Sequence, residues 1–335
     1  MKIAIIGAGV SGLSSAHEIA PDHEVVVFHD QELLASTSSV ATAIWHVYLV
    51  SPNDRQNRAW SERTLRRLML IATDEPQAGV ELVLGVELFR TSPPRRPSWA
   101  DVALEFSMLD EETLAQRYPG VSWGYSLRAP TANMHRYLPW LYDACEGRGV
   151  SFVQRRVVFD ELDAFDLIVN CAGLAARELV EDDLLYGLRG QYFVLVPDGA
   201  LPDFYVGDDE NPEGMAYMIP RDGEILIGGT EEPSEEPPAQ LEVGELIRRA
   251  GLYCGEWLER ATVLKRVVGV RPCRRGGHVR FGRDEENPRV IHNYGHGGSG
   301  FSLSWGCAES VAQVVSDSPM YEDEERAWRS ADGDR

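Results

Sequence analysis

Lys2–Ala16, KIAIIGAGVSGLSSA, is a short apolar run that breaks at Gly7, Gly9 and Gly12 and then resumes with helical spacing. It reads as strand, tight turn and helix. In that geometry Gly7 makes the turn, Gly9 lets the backbone approach a pyrophosphate, and Gly12 lets the helix pack on its strand. The phosphates then lie on the helix N-terminus, where unpaired N–H groups and the dipole favour anions. The glycine spacing alone is weak evidence, but its surroundings are the ones the motif requires. A strand-like IAII precedes it, Leu13, Ala16, Ile19 and Ala20 continue it with helical period, and Glu24–Phe28 follows as a second strand ending at Asp30. Asp30, eighteen residues after Gly12, stands where an acid would hold ribose hydroxyls. A glycine-rich turn binding nothing would not need that context.

The far end of the chain repeats the arrangement. Val290–Ala308, VIHNYGHGGSGFSLSWGCA, is a strand that breaks at Gly295, Gly297, Gly298 and Gly300 before an apolar helix through Val314. Units of this kind at both ends can hold one extended cofactor between two helix N-termini, which suits FAD better than a free nicotinamide nucleotide.

Between them the texture changes. After Asp30 comes a hydroxyl-rich turn, Ala35–Ser39, which reads either as phosphate ligands or as a helix N-cap cluster, and then the apolar Val40–Tyr48. Residues 54–72 have the spacing of an amphipathic surface helix, Asp110 opens another, and His135–Cys145 a third. Val150–Val158 and Phe165–Gly173 read as strands of a doubly wound sheet, whereas Gly190–Pro197 and Met215–Gly228 alternate as antiparallel strands do. Glu231–Pro238 is acidic, proline-rich and reads as an exposed linker.

With 335 residues the chain is long enough for about two domains at ~150 each. Hydrophobic residues make up 44% and charged ones 25%, an ordinary globular balance. No apolar run reaches the ~18 residues of a membrane span. Residues 1–6 already read as a strand, so no leader is expected and a cytoplasmic location is. A net charge of −21 argues against nucleic acid or an anionic membrane as partner. The five cysteines, Cys145, Cys171, Cys254, Cys273 and Cys307, lack metal spacing and read as buried thiols. His292 and His296 are four apart, but in a strand and a glycine turn that spacing does not make a metal pair, so no metal is expected.

The pieces IIGAGVSGLS, VIHNYGHGGSG with WGCA, GVRPCR (269–274), YMIP (217–220), FVQRRV (152–157) and VNCAG (169–173) resemble the D-amino-acid oxidase family of flavoproteins, in the family's order and over nearly the whole chain. The resemblance implies an α/β fold in which a Rossmann-like, doubly wound FAD-binding domain is interleaved with an α+β substrate domain on an antiparallel sheet. It places 1–45, 130–180 and 265–320 in the FAD-binding domain, 46–129 and 181–264 in the substrate-binding domain, and 321–335 in a frayed polar tail. FAD contacts are implied from Gly7, Ala8, Gly9, Val10, Ser11 and Gly12, from Asp30, Thr37 and Ser38, and from Ala41, Thr42 and Ala43. Further contacts are implied from the Val157 backbone, from Ala172 and Gly173, and from Gly297, Gly298, Ser299, Gly300, Phe301 and Ser302.

On the substrate side the resemblance implies that Arg271 pairs with a carboxylate, that the Tyr217 hydroxyl assists it, and that the Gly298 carbonyl accepts a hydrogen bond from the amine. A guanidinium suits the first role because it is bidentate and keeps its charge. There are departures: Glu213 stands near the family's second active-site tyrosine, and Gln31 replaces the arginine beside the ribose acid. YMIP followed by Arg221 and then Gly228-Gly229-Thr230 is also similar to the sister glycine and sarcosine oxidases. The implied partners are a small amino acid and oxygen (O2), with a homodimer left open. The implied reaction is oxidative deamination of a D-amino acid, releasing an oxo acid, ammonia and hydrogen peroxide.

GDDENPEG, Gly207–Gly214, carries four acids just before Tyr217 and favours neutral or basic substrates over acidic ones, unless it is only a solvated loop tip. Two other classes stay open. A nicotinamide-dependent dehydrogenase would leave the second glycine cluster unexplained, and a flavin-binding protein without turnover would be yellow but inert.

Overall fold

The computed structural model describes residues 1–51, 54–200, 202–233, 243–254, 258 and 260–317. Its opening follows the glycine spacing: β1 (Lys2–Ile6) turns into α1 (Val10–Ile19), and β2 (Glu24–His29) returns parallel to β1, Lys2 opposite Glu24 and Ile6 opposite Phe28. There follow α2 (Arg55–Asp74), β3 (Val80–Phe89), β4 (Leu104–Met108), α3 (Glu111–Arg117), β5 (Trp123–Ala132), α4 (Met134–Glu146), β6 (Ser151–Gln154), β7 (Leu167–Asn170) and α5 (Ala176–Leu179). The remainder is β8 (Leu185–Val196), β9 (Phe204–Asp208), β10 (Ala216–Arg221), β11 (Glu224–Gly228), α6 (Val243–Cys254), β12 (Thr262–Arg274), β13 (Arg280–Arg283), β14 (Val290–Tyr294) and α7 (Gly300–Ser316).

Two sheets result, as the mixed texture of the sequence requires. The first runs β13-β14-β7-β1-β2-β6 and is parallel except at β13. Its central strands are continuously apolar because both faces are covered: Ile3 and Ile5 pack with Leu13 of α1, while Ala4 and Ile6 pack with Phe28 and Ile168 on the other side. The second runs β12-β8-β11-β10-β9-β3-β5-β4 and is antiparallel except where β3 lies beside β9. One face of it is an apolar layer in which Leu88, Phe193, Met218 and Ile227 pack with Leu246 of α6.

Some expected boundaries shift for identifiable reasons. The strand expected over 150–158 is only β6, because it is an edge strand pairing with the last four residues of β2. Helix α2 is the amphipathic helix expected over 54–72, with Trp60, Leu65 and Leu68 on its inward face. It meets α7 so closely that a Cβ on Gly306 would lie 2.2 Å from the Trp60 carbonyl oxygen. Strand β12 hydrogen-bonds along β8, which ties 265–274 to the eight-stranded sheet. In the linker-like stretch Glu232 exchanges backbone hydrogen bonds with Arg189, while 234–238 and the 321–335 tail lie outside the described residues. The main apolar cluster extends from Ile3 and Ile5 through Leu65 to Tyr125, Ile219 and Leu226, so both sheets share one core. Among the described residues no helix is long and apolar enough to cross a membrane.

Candidate active site

A cavity of about 380 Å³ lies between the β1–α1 turn, the start of α7 and the free face of the eight-stranded sheet. Gly7, Ala8, Gly9, Val10 and Ser11 line it at one helix start, and Gly297, Gly298, Gly300 and Phe301 at the other. Neither helix has a side-chain cap or an acid in its first turn, so two sets of backbone N–H groups are available to an anion. The approach is close because side chains are missing where they would intrude. A Cβ on Gly12 would lie 1.8 Å from the Gly7 oxygen, and one on Gly7 2.5 Å from the Cys171 oxygen. Asp30, Thr37, Ser38, Ala41, Thr42, Ala43, Ala172 and Gly173 also line the cavity. Ser38 Oγ accepts from Val10 N at 3.0 Å, which ties the hydroxyl-rich turn to the start of α1. Arg221, buried on β10, donates to the carbonyls of Thr42 at 2.9 Å and Ala132 at 2.6 Å and so fixes the Ala41–Ala43 segment.

The sheet wall is built on a pattern of glycines. In-register pairing places Glu87, Gly207, Tyr217, Gly228 and Tyr192 in one row across β3, β9, β10, β11 and β8, so all share the cavity face. Four of the large side chains on this face, those of Tyr217, Glu87, Tyr205 and Arg271, lie over glycines. A Cβ on Gly228 would come within 2.3 Å of the Tyr217 hydroxyl, one on Gly207 within 2.3 Å of Glu87 Oε2, one on Gly85 within 2.1 Å of the Tyr205 ring, and one on Gly190 within 2.3 Å of Arg271 Nη1. A glycine inside a strand marks such a close approach, and this signal was present in the sequence.

Arg271 and Tyr217 thus come to the same wall. The guanidinium donates to the Thr230 carbonyl at 3.1 Å and lies 5.6 Å from the centre of the Tyr48 ring. The Tyr48 ring in turn rests on Gly298, where a Cβ would be 2.3 Å from it. Burial pushes the Tyr217 hydroxyl well above its ordinary pKa, with Arg271 pulling the other way, so it is present as a neutral donor. The buried hydroxyls of Tyr48 and Ser36, both on the cavity, have no hydrogen-bond partner among the described residues. Such atoms call for a ligand.

The four acids of the 207–214 turn do not act together, contrary to the expectation that they front the site. Asp208 pairs with Arg90 at 2.7 Å and accepts from Tyr253. Glu210 accepts from the backbone N–H groups of Arg90 and Thr91, both at 2.6 Å; burial opposes its charge, yet these bonds hold its pKa down at about 2. Glu213 pairs with Arg248, and Asp209 alone lines the cavity. A second acid there, Glu87, was not singled out from the sequence.

His46 bridges Asp209 and Glu87, at 3.2 Å and 3.4 Å. Burial acts to lower its pKa, but the two carboxylates, Glu87 foremost, hold it well above the ordinary value. A raised folded-state pKa contributes stability that is complete below about pH 6.5 and is lost as pH rises through the folded value. The difference in thermal midpoint between wild type and His46→Gln is therefore expected to narrow as pH rises above neutrality. A difference that widens with pH contradicts the protonated assignment.

A family model described as FAD dependent oxidoreductase matches residues 2–314. The D-amino-acid oxidase of Rubrobacter xylanophilus is 37% identical over 323 residues, which cover 94% of this chain and 95% of that one. The chain belongs to the D-amino-acid oxidase family. The human D-aspartate oxidase is 32% identical, again with 94% of this chain and 95% of that one covered. In fold, the family member is similar to iminodiacetate oxidase from Chelativorans, with TM-score 0.74 and 17% identity over 95% of this chain and 96% of that one. It is also similar to glycine oxidase from Geobacillus kaustophilus, with TM-score 0.71 and 19% identity over 94% and 93%.

As an FAD-dependent, D-amino-acid oxidase-like oxidoreductase it presents residues that fit the cofactor: two uncapped helix starts, a glycine turn that admits no Cβ, and Asp30 beyond β2. Four of the sequence-derived cofactor residues do not line the cavity. Gly12 acts through packing, and Val157 is buried among Phe28, Leu162 and Ile168. Ser299 Oγ bonds Tyr48 N and O, both at 2.6 Å, and Ser302 Oγ bonds His46 N at 3.0 Å and O at 2.6 Å. The two serines therefore anchor the 46–48 segment to α7. His296 lies on the cavity, but burial pushes its pKa down to about 4. His292 is buried against Asp284 at 3.0 Å, and its pKa too is lowered by burial. Both are neutral side chains with local partners.

Proposed function

We propose that the enzyme oxidises the α-carbon of a D-amino acid, neutral or basic in preference to acidic, and passes the electrons to oxygen. The imino acid formed takes up water to give an oxo acid and ammonia, and oxygen takes two electrons and two protons to become hydrogen peroxide. The observation that carries this reading is the Arg271 guanidinium and Tyr217 hydroxyl on one wall of the cavity that both helix starts open into. Bound FAD supplies the two-electron acceptor. Arg271 grips the substrate carboxylate, with a charge that cannot be lost. Tyr217, held neutral, donates to the same carboxylate. The Gly298 carbonyl accepts from the amine, and the Tyr48 ring resting on that glycine keeps the segment in place. Orientation of the α-carbon and exclusion of water then provide most of the rate.

The relatives named as D-amino-acid oxidase and D-aspartate oxidase support the D-amino-acid class and differ on the side chain. Asp209 and Glu87 favour the neutral or basic side. The cofactor is read as non-covalent. Cys273, two residues from Arg271, is buried and its thiol is pushed up to about 11 by that burial, far from a reactive thiolate.

A coupled peroxide assay over D-alanine, D-lysine, D-aspartate, glycine, sarcosine and the L-enantiomers, at low and high salt, tests the proposal. D-alanine and D-lysine are expected to react and D-aspartate to be slower by roughly tenfold or more, two like charges at a low effective dielectric sufficing for that. Activity on glycine and sarcosine but not D-alanine would turn the reading toward an amine oxidase of the glycine type. Preference for D-aspartate or for an L-enantiomer would refute it.

A further inference from the structure

Glu87 is a buried acid on the cavity that none of the reaction steps above uses. Its carboxylate is buried, 6% exposed, on the free face of the eight-stranded sheet, and it sits over Gly207 on the cavity wall. Burying a carboxylate is costly unless a cation answers it. Among the described residues the ion-pair partner of Glu87 is His46, and His46 is shared with Asp209. Two carboxylates facing one imidazolium leave one negative charge over. The other groups facing Glu87 are the hydroxyls of Tyr205, which bonds to it, and Tyr125; burial first, and then Glu87, holds both neutral, with Asp209 adding to the effect on Tyr125 and Arg95 opposing it there. Neither hydroxyl carries a charge that could offset the remaining one.

The position of this charge relative to Arg271 has a length. The guanidinium lies over Gly190 of β8 and the Glu87 carboxylate over Gly207 of β9. In the sheet order β8-β11-β10-β9 these are three strand spacings apart, and Gly190 is two residues off the row that carries Gly207, a backbone separation of about 16 Å. An extended amino acid with four methylenes and a terminal ammonium is about 8 Å from carboxylate to nitrogen. Adding a charge-assisted hydrogen bond of about 2.8 Å at each end brings it to a similar reach. An alanine-sized substrate ends well short and leaves Glu87 as it is. A substrate with a second carboxylate would bring like charge to a buried acid.

We propose that Glu87, with Asp209 and His46, forms a subsite for a side-chain cation, which makes long basic D-amino acids of lysine or arginine length the preferred substrates of this enzyme. This rests on the reading of Arg271 as the carboxylate clamp, and Glu87 is a specificity residue rather than a reacting one.

The test uses ligands that lack an α-amine and cannot be oxidised: ε-aminocaproate, caproate and adipate, titrated into the FAD-loaded enzyme and followed by the change in the visible flavin spectrum. ε-Aminocaproate is expected to bind at least tenfold more tightly than caproate, on the scale of a hydrogen bond to a charged group, and adipate more weakly than either. In Glu87→Gln, which keeps the side-chain volume, the advantage of ε-aminocaproate over caproate is expected to fall by about tenfold. The ratio of kcat/KM for D-lysine to that for D-alanine should fall with it. Caproate binding as tightly as ε-aminocaproate to the wild type, or an advantage that survives in Glu87→Gln, overturns the subsite and leaves the clamp standing. If none of the three binds, the clamp is wrong and the subsite falls with it. The wild-type ranking requires no variant to fold.

Discussion

Arg271→Ala is expected to lower kcat/KM for the best amino acid by a few hundred-fold or more while the protein remains yellow. The loss follows from leaving a carboxylate in a site built for a charged partner, where removing one member of a buried pair costs about 3–5 kcal/mol. Retention of the cofactor follows from geography. Arg271 lies on β12 of the antiparallel sheet and bonds Thr230, whereas the helix starts that suit the dinucleotide belong to α1 and α7. KM should carry most of the change if binding is uniformly weakened. Near-normal kcat/KM with intact flavin would remove Arg271 from the clamp.

Gly12→Ala is expected to abolish cofactor retention and to lower the thermal midpoint. Its Cβ would lie 1.8 Å from the Gly7 oxygen and 2.9 Å from the Gly7 carbon, and both atoms are backbone, so no rotamer relieves the clash. The helix must move off the turn. Overpacking at a rigid site costs about 3 kcal/mol, and here the displaced groups are the N–H donors that face the phosphates. Gly244→Ala serves as a control, because a Cβ there meets nothing within 4 Å. Wild-type flavin occupancy after gel filtration of Gly12→Ala would contradict the assignment of the first turn.

The βαβ opening was legible because one glycine spacing, one apolar period and one terminal acid all had to agree, and Gly7, Gly9 and Asp30 do line one cavity. Arg271 and Tyr217 were legible through resemblance to a family. Glu87, His46 and the isolation of Asp209 were not, and the pleat explains why. Asp208 and Asp209 are neighbours in the chain, but period-two alternation sends one to Arg90 and Tyr253 and the other to the cavity. A run of acids therefore says little about where charge accumulates. Charge comes together only across strands, through a register in which Glu87 of β3 meets Gly207 of β9, a pairing of distant segments that local spacing does not encode. Ser299 and Ser302 show the converse: hydroxyls beside a glycine turn read as ligands, yet they are committed to the backbone of His46 and Tyr48.

The central claim is that bound FAD takes electrons from an amino acid held by its carboxylate at Arg271. The measurement that tests it most directly is anaerobic mixing of the purified yellow protein with D-lysine, D-alanine and their L-enantiomers, followed by readmission of oxygen. The account predicts that the D-enantiomers bleach the flavin within one turnover, that Arg271→Ala bleaches far more slowly at the same concentration, and that oxygen restores the colour with release of peroxide. A flavin that stays oxidised with every amino acid, or that is bleached only by an L-enantiomer, would contradict it.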